Sequence, residues 1–121
     1  MTANLKGITS VTAGTLVSQQ LATSEAALYT VPAATTVKVA QGSLCNTTAS
    51  SVTVYLSIVK SGGTMGDGTH RVVSGATIFA NDTLSLEDYI AGHFLGPGDV
   101  IAGYAGTATA VDIVVSGVVL T

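Results

Sequence analysis

Apolar side chains recur at every second position through much of this chain. Val52, Val54, Leu56 and Ile58 alternate with Thr53, Tyr55 and Ser57, and Val111, Ile113 and Val115 alternate with Asp112 and Val114. Such alternation sets one face of an extended strand against a core and the other toward water. Val, Thr, Ile and Tyr dominate these runs, and branched or aromatic side chains suit a pleated surface; the helix-favouring Glu, Lys, Arg, Gln and Leu are scarce. The pattern predicts strands near residues 7–18, 28–31, 35–45, 51–60, 70–79, 83–87, 99–105 and 110–120, and no long helix. The one helix-like stretch, Thr23 to Leu28, is a turn or two that ends before the extended segment Tyr29-Thr30-Val31-Pro32.

Turn chemistry divides the chain at short intervals, among them Pro32-Ala33-Ala34, Ser61-Gly62-Gly63, Gly66-Asp67-Gly68, Asn81-Asp82 and Gly96-Pro97-Gly98-Asp99. About eight short strands so spaced make an all-β, two-layer antiparallel β-sandwich, with jelly-roll and immunoglobulin-like topologies both open. Gly42 and Gly117 interrupt otherwise good strands, and a bulge there would let one strand bend across two sheets. The segment Val114 to Thr121 is apolar on both faces and uncharged, so it must be central or covered. Residues 1–22 differ in kind: they are rich in Thr, Ser and Ala, with sparse apolar positions at Leu5, Ile8, Val11, Leu16 and Val17. They read as a first strand or as an arm that docks through those five residues, ahead of a sandwich at 23–121. The whole is a single domain.

Charge changes the picture most. Only 9% of the 121 residues are charged, against about a quarter in an ordinary soluble domain, so Thr, Ser, Ala and Gly must cover much of the exterior. Lys6, Lys38, Lys60 and Arg71 stand singly in a chain of net charge −3, too sparse to neutralise several phosphates at once or to hold an anionic membrane surface. Neither nucleic acid nor membrane is an expected partner. Residues 1–7 lack the charged start and apolar run of a secretion signal, and the single Cys45 forbids an internal disulfide, which together point to assembly in a reducing cytoplasm. Cys45 itself reads as a buried small hydrophobe.

No residue set matches a catalytic motif. His70 and His93, with Asp67, Asp99 and Glu87, lack the spacing of any hydrolase or metalloprotease signature, so the reading is of a protein that is not an enzyme and has no catalytic, cofactor or metal residues. Asp67 in Gly66-Asp67-Gly68-Thr69 lacks the further oxygen ligands of a calcium loop, and Asp82, Glu87 and Asp88 read as solvated loop charge. The run from Ser61 to Gly68 lacks the Gly-Lys-Ser/Thr ending of a phosphate cradle. Asn46-Thr47-Thr48 and Asn81-Asp82-Thr83 match the glycosylation acceptor pattern, a short one that recurs by chance. Tyr89, His93, Phe94 and Tyr104 are expected near one end of the sandwich, as a candidate contact surface for a host glycan.

A resemblance enters with Leu28-Tyr29-Thr30-Val31-Pro32, Ser43-Leu44-Cys45-Asn46-Thr47-Thr48, Val52-Thr53-Val54-Tyr55-Leu56, Ser61-Gly62-Gly63-Thr64, Gly98-Asp99-Val100-Ile101 and Val114-Val115-Ser116-Gly117-Val118. Over roughly residues 28–121 the chain resembles small all-β virion proteins of tailed bacteriophages, of the minor tail, tail-fibre-associated or capsid decoration kind. The matched positions carry architecture and no chemistry, so no functional residue comes with them. The stretch Glu87 to Phe94 and the first twenty-odd residues depart from that pattern. The resemblance implies a non-enzymatic structural protein made in a bacterial cytoplasm, a homo-oligomer and by preference a trimer, placed in the virion beside other tail or capsid proteins. Composition agrees independently, since a low-charge surface suits subunits that bury it in symmetric contacts.

Overall fold

The computed structural model describes residues 7–121. Nine strands follow in order: β1 (Val11–Gln20), β2 (Ala26–Thr30), β3 (Thr36–Asn46), β4 (Val52–Val59), β5 (Arg71–Ile78), β6 (Thr83–Ser85), β7 (Phe94–Leu95), β8 (Val100–Ala105) and β9 (Val111–Leu120). They make two antiparallel sheets. The first has the order β1-β9-β3-β6, with β7 also on β3; the second has the order β2-β8-β4-β5.

The pairings share one logic. Val11 faces Leu120, Ala26 faces Gly103, Ser43 faces Ser85 and Val52 faces Ile78. Partners therefore step inward from both ends of the chain toward residues 61–70, and the chain is one long antiparallel hairpin with its tip in that glycine-rich loop. Rolling the hairpin up sets β3 beside β9 and β4 beside β8. This is a jelly roll, and it decides between the two topologies that periodicity leaves open.

Between the sheets lies a core of branched aliphatic side chains, including Val37, Val39, Leu44, Val54, Leu56, Ile101, Val111, Ile113 and Val115. β9, apolar on both faces, is an inner strand between β1 and β3, so neither of its edges is free. Within each sheet, glycines stand where a neighbouring strand leaves no room for a side chain. At Gly117 a Cβ would run into the Lys38 carbonyl oxygen and stand 2.9 Å from Leu16 Cδ1; at Gly103 it would stand 2.8 Å from the Tyr55 carbonyl oxygen.

Three local expectations need correction. Thr23 to Leu28 holds no helical turn, because Ala26–Thr30 pairs with β8 and turns Leu28 and Tyr29 toward the core. No strand crosses between sheets: the bulges fall at Val39/Gln41 in β3 and at Thr15/Val17 in β1, beside the two glycines and not on them. The strand expected at 83–87 stops at Ser85. Beyond it the Leu86 carbonyl accepts from the Tyr89 and Ile90 amides, a single helical turn that buries Leu86 and Ile90, and it is followed by the unforeseen two-residue β7.

One end of the sandwich is tied by Asn46, which is fully buried. Its Nδ2 donates to the carbonyls of Ser50 (2.8 Å), Ile78 (3.0 Å) and Phe79 (3.2 Å), while its Oδ1 accepts from the Thr48 amide (2.9 Å) and hydroxyl (2.8 Å). The amide thus joins the turn after β3 to the turn after β5, and a glycan on this buried nitrogen would disrupt the contacts it donates to the Ser50, Ile78 and Phe79 carbonyls.

Two substitutions test this account. Gly117→Ala is expected to lower unfolding free energy by about 1–3 kcal/mol, the usual cost of overpacking, and Asn46→Ala by about 3 kcal/mol, because several buried carbonyls lose their donor. Urea unfolding monitored by circular dichroism measures both; a neutral Asn46→Ala would refute the tie.

Candidate functional site

The residues weighed for catalysis do not converge. Asp67 is exposed and closes its own turn, its Oδ1 accepting from the Thr69 hydroxyl (2.7 Å) and amide (3.0 Å), and these bonds hold its carboxyl below the ordinary range. His70 ends the tip loop, while His93 and Glu87 are exposed on the far rim of the first sheet. Asp82 accepts from the Thr83 amide at 2.8 Å. Among the described residues no three His, Cys, Asp or Glu side chains lie close enough together to hold a metal ion. Cys45 is half-buried and points away from the core, since its neighbours Leu44 and Asn46 point inward.

Asp99 is spent on structure. It is 2% exposed, and its carboxylate accepts from the Gly96 amide (2.8 Å), the Ser61 amide (2.9 Å) and the Lys60 ammonium (3.0 Å), fastening the turn before β8 to the end of β4. Burial pushes its carboxyl up, but the Gly96 and Ser61 amides and Lys60 outweigh that and leave it below the usual range.

The four side chains expected to cluster are divided between sheets. Phe94 lies on the outer face of the first sheet opposite Lys38, whose Nζ sits 5.7 Å from the ring centre; Tyr89 stands on the helical turn and His93 just before β7. Tyr104 is on the second sheet. There it stacks on Tyr55 with ring centres 4.4 Å apart and planes 5° from parallel. Arg71 covers the stack, its guanidinium carbon 4.6 Å from the Tyr55 ring centre and its terminal nitrogen donating to the Tyr104 hydroxyl at 3.0 Å. Beside them Ser57 donates to Glu25 at 2.9 Å. Tyr55 and Arg71 escaped the sequence reading, because only the pairing of Tyr55 with Tyr104 across β4 and β8 brings them together.

The docking set divides as well. Leu5 lies outside the described residues. Val17 is 3% exposed and belongs to the core, Leu16 packs against that core, and Ile8 is half-buried; Val11 is 67% exposed. Register places Ala13, Val118, Lys38 and Phe94 in one row across the outer face of the first sheet, with Val11 and Leu120 in the next. That end of the face is apolar. Toward its middle lies a shallow groove of about 240 Å³ lined by Gln41, Gly42, Ser43, Ser85, Val114 and Ser116. Hydroxyls, one amide and a valine line it, with no titratable group, so it can offer hydrogen bonds and shape but no proton transfer.

No protein family, curated protein or solved structure matches this chain.

The Asp99 cluster gives a pH prediction. A carboxyl whose pKa is lower in the folded than in the unfolded chain adds stability that is complete above the unfolded value of about 4 and is lost as pH falls through the folded value. Asp99→Asn is expected to cost about 2 kcal/mol at pH 7 and progressively less below pH 4. Urea midpoints measured from pH 7 downward check this, and parallel curves for the two proteins would refute it.

Proposed function

We propose that this chain is a non-enzymatic structural subunit of a tailed-bacteriophage particle, present in several copies as an accessory tail protein. The observation that carries this reading is a surface built for contact and not for chemistry. The first sheet exposes Val11, Phe94 and Val114, and among the described residues its strands bring only Lys38 and Asp112 for charge to that outer face, while the polar side chains with the most partners, Asn46 and Asp99, are buried in structural ties. The resemblance of residues 28–121 to phage virion proteins supports the setting. The jelly roll agrees with it without selecting it, because that architecture serves viral shells, lectins and enzymes alike.

In such a role the subunit works by shape. Apolar burial contributes about 25 cal/mol per Å², and many modest contacts repeated through an assembly hold far more firmly than any one of them. Virion localisation, assembly in the bacterial cytoplasm and contact with other tail or capsid proteins all belong to this proposal.

Electron microscopy of particles labelled with an antibody against the chain tests it. Label on the tail or its tip is the expected result. Label over the head would make the chain a decoration protein that clamps shell subunits, and particles without label would overturn the virion reading.

A further inference from the structure

The two sides of the sandwich are built differently. One rim is formed by β5, β6 and β7. It is interrupted, with three residues in β6 and two in β7; Arg71 and the exposed Glu87 and Asp88 bring charge to it, and the helical turn seats Leu86 and Ile90 over the gap. Short strands, charges and covering turns are the means by which proteins keep sheet edges from pairing with other chains.

The opposite rim is formed by β1 and β2, and it lacks those protections. β1 runs ten residues, VTAGTLVSQQ, and β2 five, AALYT, with no charge and no proline in either. Among the described residues β1 pairs only with β9, and no described strand lies on its other edge. Of its side chains only Val17 is buried. Gly14 and Gln19, which register opposite the inward-facing Gly117 and Ile113, are exposed, so β1 overhangs the second sheet. A bulge interrupts each strand, at Leu16 in β1 and at Leu28 in β2.

We propose that this rim is the docking surface for a second copy of the chain, with β1 running antiparallel to the partner's β1 across a two-fold axis and the two first sheets joined into one. Antiparallel pairing of identical strands is self-complementary, as a two-fold contact requires, and an uncharged strand meets no like charge in any register. The contact is made by β1 alone. Its ten residues extend about 33 Å, and a strip about 10 Å deep covers about 330 Å² per copy and about 660 Å² in all, the size of a weak, reversible contact. The inference rests on the reading of the chain as a multi-copy subunit and supplies the contact that reading needs. It differs from the trimer that the family resemblance implies.

Sedimentation equilibrium of the full chain up to about 300 μM is the test. A reversible monomer–dimer equilibrium is expected. The double variant Thr15→Lys with Ser18→Lys, at exposed positions on the outer face of β1, is expected to weaken dimerisation at least about tenfold without changing the circular dichroism spectrum. The control pair Thr77→Lys with Thr83→Lys, on the protected rim, should leave it unchanged. In the unaltered chain, hydrogen exchange of the β1 amides should slow as concentration rises, a readout independent of any variant. A chain that remains monomeric, a trimer, a dimer indifferent to the β1 lysines, or exchange that slows on the β5–β6 rim would each overturn the proposal. Particle labelling is scored separately: a monomer found on particles overturns this contact alone, and a β1 dimer found on no particle overturns the virion reading alone.

Discussion

Everything in this fold depends on backbone pairing between residues far apart in the chain. β1 is held by β9, β2 by β8 and β3 by β6, and the only neighbouring strands joined directly are β4 and β5 at the tip loop. A hairpin of that length cannot hold itself in water; it persists because rolling it up buries one aliphatic layer between two sheets. The layer is made of Val, Leu, Ile and Ala, with no disulfide to assist. Pairings of such high sequence separation place the chain among slowly folding topologies, with the terminal strands the most expensive to close.

Glycine is required beside this aliphatic layer as well. On β8 and β9, Gly103 and Gly117 occupy points where a methyl group would meet a carbonyl oxygen of the adjacent strand. The polar ties sit at the ends of this layer. Asn46 binds two turns at one end and Asp99 binds two at the other, so the loops are held by fully partnered buried groups while the sheets are held by packing. This division explains why the most strongly bonded polar residues contribute to structure and not to a reactive centre.

Alternation made the fold legible. Val52 to Ile58 and Val111 to Val115 announced strands that the structure contains, and the two-faced apolar run at Val114 to Thr121 announced an inner strand, which β9 is. The errors have physical causes. Ala26 and Ala27 carry helical propensity that pairing with β8 overrides, and Leu86 and Ile90 are four apart, a helical spacing concealed by the strand-like alternation of Leu84 and Leu86. The surface was less legible, because register governs it. Tyr55 and Tyr104 are 49 positions apart in the sequence and touch only because β4 lies beside β8; Phe94 and Tyr104 are close in sequence and belong to different sheets.

Register also separates the two rims, which no linear reading could distinguish. β1 is a good strand by composition, yet its inner face covers almost nothing, and Val17 with part of Leu16 is all it gives the core. A strand that contributes so little burial to its own sandwich is held almost wholly by its ladder to β9, and ten ordered residues carry a backbone entropy cost of order 10 kcal/mol or more against that. Pairing on its second edge would add hydrogen bonds and burial to residues already ordered, so most of the entropic cost is met before the partner arrives. The feature that leaves the isolated chain least protected is thus the one that would make association on this rim thermodynamically favourable.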